Sequence, residues 1–243
     1  EPNINYQGNK LQINKIDAYL DLMSIFIGRP KINTINISSG EIEVNDIKNI
    51  IRYQKPSNFK KFFLNDVNKG IVTFKLDLDL IDNKIKNYEI NGTVKNFSAN
   101  VQNINIEKTS FIYSVKKNNG EINNLRGLIN GFQINVGNFE FENSESLVIK
   151  GSIKSNLEMS KVDFHKIFQK NILQNYDKLL LTGKIQSAFK INFDKTLKIT
   201  DYQAEATGII QKFNIKFREP KNYLFIKNKI NTIDFEKTRL KVN

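Results

Sequence analysis

Few residues in this chain have the type and spacing to do chemistry. The single histidine, His165, stands between Phe164 and Lys166 in a stretch of helical spacing. On that stretch it reads as a solvent-facing, inert side chain and not a catalytic base. Asp77 and Asp79 are the other candidates. Two positions apart in an extended run they share a face, and paired carboxylates can do acid–base work or hold a hard cation. Alternation alone also puts polar groups there, so the pair reads as the wet side of a strand. The sequence holds no glycine-rich phosphate loop, no Ser/His/Asp constellation and no His-x-x-x-His. Cysteine is absent, which excludes disulfides and thiolate metal sites. We expect no enzyme, no catalytic residues, no metal and no cofactor.

The element that carries the two carboxylates says more than they do. From Val72 the run Val72, Phe74, Leu76, Leu78, Leu80 alternates with Thr73, Lys75, Asp77 and Asp79. A period of two over that length is a strand with one apolar and one polar face. Upstream, Leu11 and Ile13 alternate, the phase slips near Asn14-Lys15, and Ile16, Ala18, Leu20 and Leu22 resume it, which suggests a β-bulge or short turn. Met23 to Ile27 reads as a compact turn closed by Gly28-Arg29-Pro30. Ile35 and Ile37 with Ile42 and Val44 suggest a hairpin around Ser38-Ser39-Gly40.

A helical insert is expected near 46–63. Asn45 or Asp46 can cap a turn through Ile47, Ile50 and Ile51, Pro56 stops it, and Phe59, Phe62 and Phe63 form another turn. Such an amphipathic piece can plug one end of a sheet. From Lys84 to Met159 the pattern is strand after strand, broken at Asp82-Asn83, Asn118-Asn119-Gly120 and Asn143-Ser144-Glu145. A second helix is expected at 160–173, with Ser160 and Asp163 as a capping-box-like start and Phe164, Ile167, Phe168 and Ile172 on one face. Strands resume at Leu179 and run to Val242, with Pro220 in a loop.

A pattern recurs three times: Gly92, Val94, Phe97, Ala99, Val101; Gly127, Ile129, Phe132, Ile134, Val136; Gly208, Ile210, Phe213, Ile215, Phe217. The odd step from the second residue to the phenylalanine changes the facing parity, which a bulge or bend can supply. The intervals between copies differ, so this is an irregular β repeat and not a strict solenoid.

At 243 residues and 40% hydrophobic composition the chain can build an extensive buried face as one large β domain. It starts at Glu1-Pro2 and contains no apolar run of bilayer length, so we expect a segment of a longer protein or a mature form. The net charge of +12 admits an anionic partner, but the lysines are scattered among Asn and Ile, and the closest approach to a patch is Lys60-Lys61 or Lys116-Lys117.

The run Ile13-x-x-Ile16-Asp17-x-Tyr19-Leu20-Asp21-Leu22-x-Ser24-Ile25-x-Ile27-Gly28-x-Pro30-x-Ile32-x-x-Ile35-x-Ile37 resembles the opening repeat of AsmA-like bacterial envelope proteins (the AsmA, TamB and YhdP group). The recurrent Gly-containing strands, and the expected helix followed by Leu181-Thr182-Gly183-Lys184-Ile185, are similar to that family as well. The resemblance covers most of the chain through degenerate motifs. It implies a Gram-negative envelope protein, periplasmic and anchored in the inner membrane by a helix not contained in this stretch. Its antiparallel sheet would form an open U-shaped, taco-like groove that conducts phospholipids between inner and outer membrane, a role in outer-membrane biogenesis. It brings no catalytic residue.

The sequence therefore leads us to expect an all-β, elongated, twisted antiparallel sheet over residues 1–243, with one apolar concave face and two short amphipathic helices. The expected acyl-chain lining is Val72, Phe74, Leu76, Leu78, Leu80, Val94, Phe97, Val101, Ile129, Phe132, Ile134, Val136, Ile210, Phe213, Ile215 and Phe217. Phospholipids, a membrane and neighbouring segments of the parent are the expected partners, and nucleic acid is not. Two other readings stay open: a closed β-sandwich or repeat domain with a structural or adhesive role, whose apolar face is packed shut, and a basic module for anionic polymers.

Overall fold

Thirteen antiparallel strands join into one sheet in a computed structural model that describes residues 2–6, 8–82, 84–101, 104–143, 146–160, 176–194, 198–223 and 226–242. In chain order they are β1 (Asn3–Tyr6), β2 (Asn9–Leu20), β3 (Ile32–Ser39), β4 (Ile42–Glu43), β5 (Val67–Ile81), β6 (Lys84–Val101), β7 (Ile104–Lys116), β8 (Asn119–Ile129), β9 (Phe132–Asn143), β10 (Leu147–Ser160), β11 (Tyr176–Phe193), β12 (Ile199–Tyr223) and β13 (Ile226–Val242). Apart from β4, each strand lies beside its predecessor, and the order runs β1-β2-β3-β5 and then onward to β13 without a crossover. Among the described residues the sheet does not close on itself and no second sheet packs on it. The closed sandwich is thus replaced by an open all-β sheet.

Three short helices are present among the described residues, where two were expected. The segment read as a compact turn is α1 (Leu22–Phe26), because the Asp21 carboxylate accepts the Met23 N–H at 3.0 Å and caps it. α2 (Val44–Ile51) starts before Asn45; its N-cap is Glu43, whose side chain makes no capping bond, while Asp46 sits in the first turn where the helix dipole favours a carboxylate. α3 (Asn58–Asn65) is capped by the Ser57 hydroxyl, which accepts the Lys60 N–H at 3.1 Å. The expected helix at 160–173, with His165, lies outside the described residues apart from Ser160, which ends β10.

Two further expectations are corrected. β3 and β4 do not form a hairpin. Both pair with β5, at Ile37↔Leu76 and at Ile42↔Val72, so they are two pieces of one interrupted strand. The break is held by the Ser39 hydroxyl, which accepts the Phe74 N–H at 2.8 Å. Pro220 falls inside β12, not in a loop, at the point where its register on β13 jumps from Lys216↔Thr232 to Lys221↔Ile230 and a missing N–H costs no ladder bond.

The folded chain exposes 17101 Å². A compact monomer of 28.1 kDa exposes about 11,000 Å² by the usual scaling of surface with mass. The excess is what a sheet open on both faces requires. Among the described residues a compact core sits where α2 and α3 cover an end of β5–β7: Val44, Val67 and Ala99 are buried there, with Phe62, Phe63, Val72, Phe97, Val101 and Ile106 packed around them. Lys48 Nζ donates to the Leu64 and Val67 carbonyls and ties α2 to the end of α3. The helical insert plugs one end of the apolar face.

Candidate functional site: the apolar face of the sheet

Directly paired residues on antiparallel strands point to the same side, so the register shows which side chains share a face. One row crosses ten strands: Ile16, Ile37, Leu76, Ile90, Val115, Gly120, Phe141, Ile149, Ile191, Tyr202. The row beside it runs Phe74, Gly92, Tyr113, Ile122, Phe139, Gly151, Phe189, Ala204. Neither row contains a charged residue. The residues between them face the other way, as in Lys75, Asn91, Ser114, Glu121, Glu140, Lys150, Lys190, and so does the next row out, Asp17, Asn36, Asp77, Glu89, Lys116. The sheet is amphipathic across its width and not merely strand by strand.

The row residues in β5 to β11 are half-buried by one another, and the row is exposed at its ends, where Ile16 and Tyr202 are 45% and 72% accessible. The glycines in these rows let aromatic rings lie over the backbone. A Cβ on Gly92 would stand 2.7 Å from Tyr113 Oη, and one on Gly151 would meet both Phe189 and Phe139 at 2.6 and 2.7 Å. Tyr113 Oη donates to the Thr73 carbonyl at 3.2 Å, and burial raises its pKa. Sequence reasoning missed this pairing; its signal was a mid-strand glycine, which marks close approach, but the aromatic partner on the next strand has no fixed sequence offset.

The expected lining residues fall in three places. Phe74, Leu76, Leu78, Leu80, Ile129, Phe132, Ile210, Phe213 and Ile215 lie on the apolar face and are half-buried. Val72, Phe97 and Val101 belong to the same face but pack in the helix-covered core, and Val94, Ile134 and Phe217 are buried. Val136 departs: a register shift between Lys154 and Ser155 pairs it with Lys154, on the polar side.

The first and third copies of the repeated pattern carry the bulge that parity demands. Asn96 has φ of 51°, and β12 shifts register on β11 between Ile210 and Lys212. The middle copy is instead a hairpin: Asn130 and Gly131 have φ of 49° and 83°, and Ile129 pairs with Phe132.

The polar face offers no catalytic arrangement among the described residues. Asp77 pairs with Lys75 at 3.4 Å, and Asp79 lies opposite Thr34 and Asn87. No group of three or more His, Cys, Asp or Glu that could hold a metal occurs among the described residues. A recess of about 720 Å³ on this side is lined by Glu140, Lys150, Ser152, Lys190, Gln203 and Glu205. With Lys241 it carries three lysines against two glutamates, and Phe189 and Ala204 of the apolar row also reach its wall. At the far tip, α1 leaves Leu22, Met23, Phe26 and Ile27 between 70% and 85% accessible. No described helix is long and apolar enough to cross a membrane. No protein-family profile, curated protein or solved structure matches this chain.

Proposed function

We propose that the apolar face takes up phospholipid acyl chains, and that the chain is a groove segment of an AsmA-like envelope protein carrying phospholipid between inner and outer membrane. The observation that carries this reading is the ten-strand row from Ile16 to Tyr202, uncharged throughout and left open by the described elements. Contiguous apolar surface on that scale marks a site for an apolar partner. Burial is worth roughly 25 cal/mol per Å², so a two-tailed lipid crossing water unaided would lose on the order of 20 kcal/mol. A face that solvates the tails at every strand removes that barrier while the head group stays in water. No single side chain binds the lipid by itself: the surface is a continuous row of Leu, Ile, Val and Phe, and a charge set into the middle of it interrupts the row. Under this reading the parent is periplasmic and anchored in the inner membrane, and nucleic acid is not a partner.

Native mass spectrometry of the purified chain tests the proposal. Phospholipid should co-purify, and Phe141→Asp should abolish its retention whereas Thr93→Asp, on the polar face, should not. A chain free of lipid, or one whose lipid survives Phe141→Asp, contradicts it.

A further inference from the structure

The turn between α2 and α3 gathers cations that the sequence spreads over residues 52–61. Arg52, Lys55, Lys60 and Lys61 stand in that stretch, with no carboxylate among them. Lys60 folds back on α2: its Nζ donates to the Arg52 and Gln54 carbonyls at 2.6 and 2.7 Å. A lysine there satisfies carbonyls that have no intrahelical donor, and it sets the start of α3 against the end of α2. Arg52, Lys55 and Lys61 are exposed, and none of the four cations enters an ion pair among the described residues.

Two aromatic rings stand in the same patch. Tyr53 and Phe59 are 54% and 63% accessible. With Lys55 and Lys60 they line a recess of about 760 Å³ between the helices. Phe59 leans on Phe63 at a centroid distance of 5.7 Å, and Phe63 packs on the core beneath. Its ring is therefore carried on a fixed base. Residues 52–59 form an unbroken exposed stretch at the plugged end of the sheet.

Cations without acids call for an anionic partner, and the rings narrow the choice. A soluble polyanion would pair with Arg52, Lys55 and Lys61 but leave Phe59 in water. The surface of an anionic bilayer meets both needs: headgroup phosphates take the cations, and the headgroup–acyl boundary covers the rings. We infer that the α2–α3 turn is a docking site for an anionic phospholipid bilayer, which holds the plugged end of the sheet at the membrane. The site lies between β4 and β5 and does not rest on the lipid reading of the apolar face.

Co-sedimentation of the 243-residue chain with vesicles tests it. The chain should bind vesicles of phosphatidylcholine and phosphatidylglycerol in equal parts, and not vesicles of phosphatidylcholine alone. Lys55→Glu/Lys61→Glu should weaken binding by about thirtyfold or more. Lys116→Glu/Lys117→Glu makes the same change in net charge at the other end of the sheet and should bind nearly as the unaltered chain does. So should Phe141→Asp, on the apolar face. The chain has no tryptophan, so Phe59→Trp places a single reporter in the patch, and its emission should shift to the blue on the mixed vesicles. Circular dichroism of each variant separates lost binding from unfolding. Failure to bind the mixed vesicles, even with heparin bound in their place, overturns the inference. So does binding that survives Lys55→Glu/Lys61→Glu and thus belongs to another surface such as α1, binding lost in Phe141→Asp, or unshifted emission at position 59.

Discussion

The phenol of Tyr113 reaches across Gly92 to the main-chain carbonyl of Thr73, 3.2 Å away, linking β7 to β5 over the strand between them. The contact exists because residue 92 has no side chain, and it closes the apolar surface over a stretch of backbone. Tyr113→Phe should lower stability by about 1 kcal/mol in denaturant titration. Gly92→Ala should cost about 2 kcal/mol or more, since its methyl meets the Thr73 carbonyl and the tyrosine ring. Burial raises the Tyr113 pKa, so the folded state favours the neutral phenol. That preference is intact below the ordinary value of 10.0 and fades as pH rises past it.

Ser24 organises the exposed tip. Its side chain is 2% accessible; the hydroxyl donates to the Asp21 carbonyl and accepts the Lys31 N–H at 2.8 Å, while its own carbonyl accepts the Arg29 N–H at 2.9 Å. Ser24→Ala should cost about 1–3 kcal/mol, the range for a buried hydrogen-bonding partner removed. Hydrogen exchange should quicken at Lys31, whose N–H loses its acceptor, and remain slow in β9 and β10.

Lys31 also holds Asp82 at 2.7 Å, fastening the tip to the β5–β6 turn. The hydrogen bond and charge of Lys31 lower the Asp82 pKa. The contribution is present above the ordinary carboxylate value and is lost as pH falls through the lowered one. Nuclear magnetic resonance titration should find Asp82 below the usual range, and Lys31→Met should return it there.

The helical plug rests on Val67, 1% accessible beneath α2 and α3. Val67→Ala removes two methyl groups from a packed site and should cost about 2 kcal/mol in thermal or denaturant unfolding. Tyr202→Ala, at an open end of the apolar row, should fall within about 0.5 kcal/mol of the parent.

Much of the architecture was legible because alternation survives without tertiary help: Val72 to Leu80 and Gly92 to Val101 announce their strands and their faces. What failed, failed where spacing has two structural solutions. Ile129 and Phe132 are as far apart as the residues flanking a bulge, but Asn130-Gly131 turns the chain, and a two-residue hairpin returns the same face to the same side. Ile35 to Val44 has the punctuation of a hairpin, yet both halves find better partners along β5. Val136 keeps the apolar phase in sequence and loses it to a register shift against β10. That the apolar sides of all these strands join into rows depends on register, which no single strand encodes.

The most direct test of the central proposal is site-specific photo-crosslinking. A photoreactive phenylalanine analogue is placed at Ile149, on the apolar row, or at Lys150, its neighbour on the polar face, and the chain is irradiated with phospholipid vesicles. The account predicts phospholipid adducts from position 149 and none above background from position 150. Equal labelling at both, or none at position 149 in a folded chain, contradicts it.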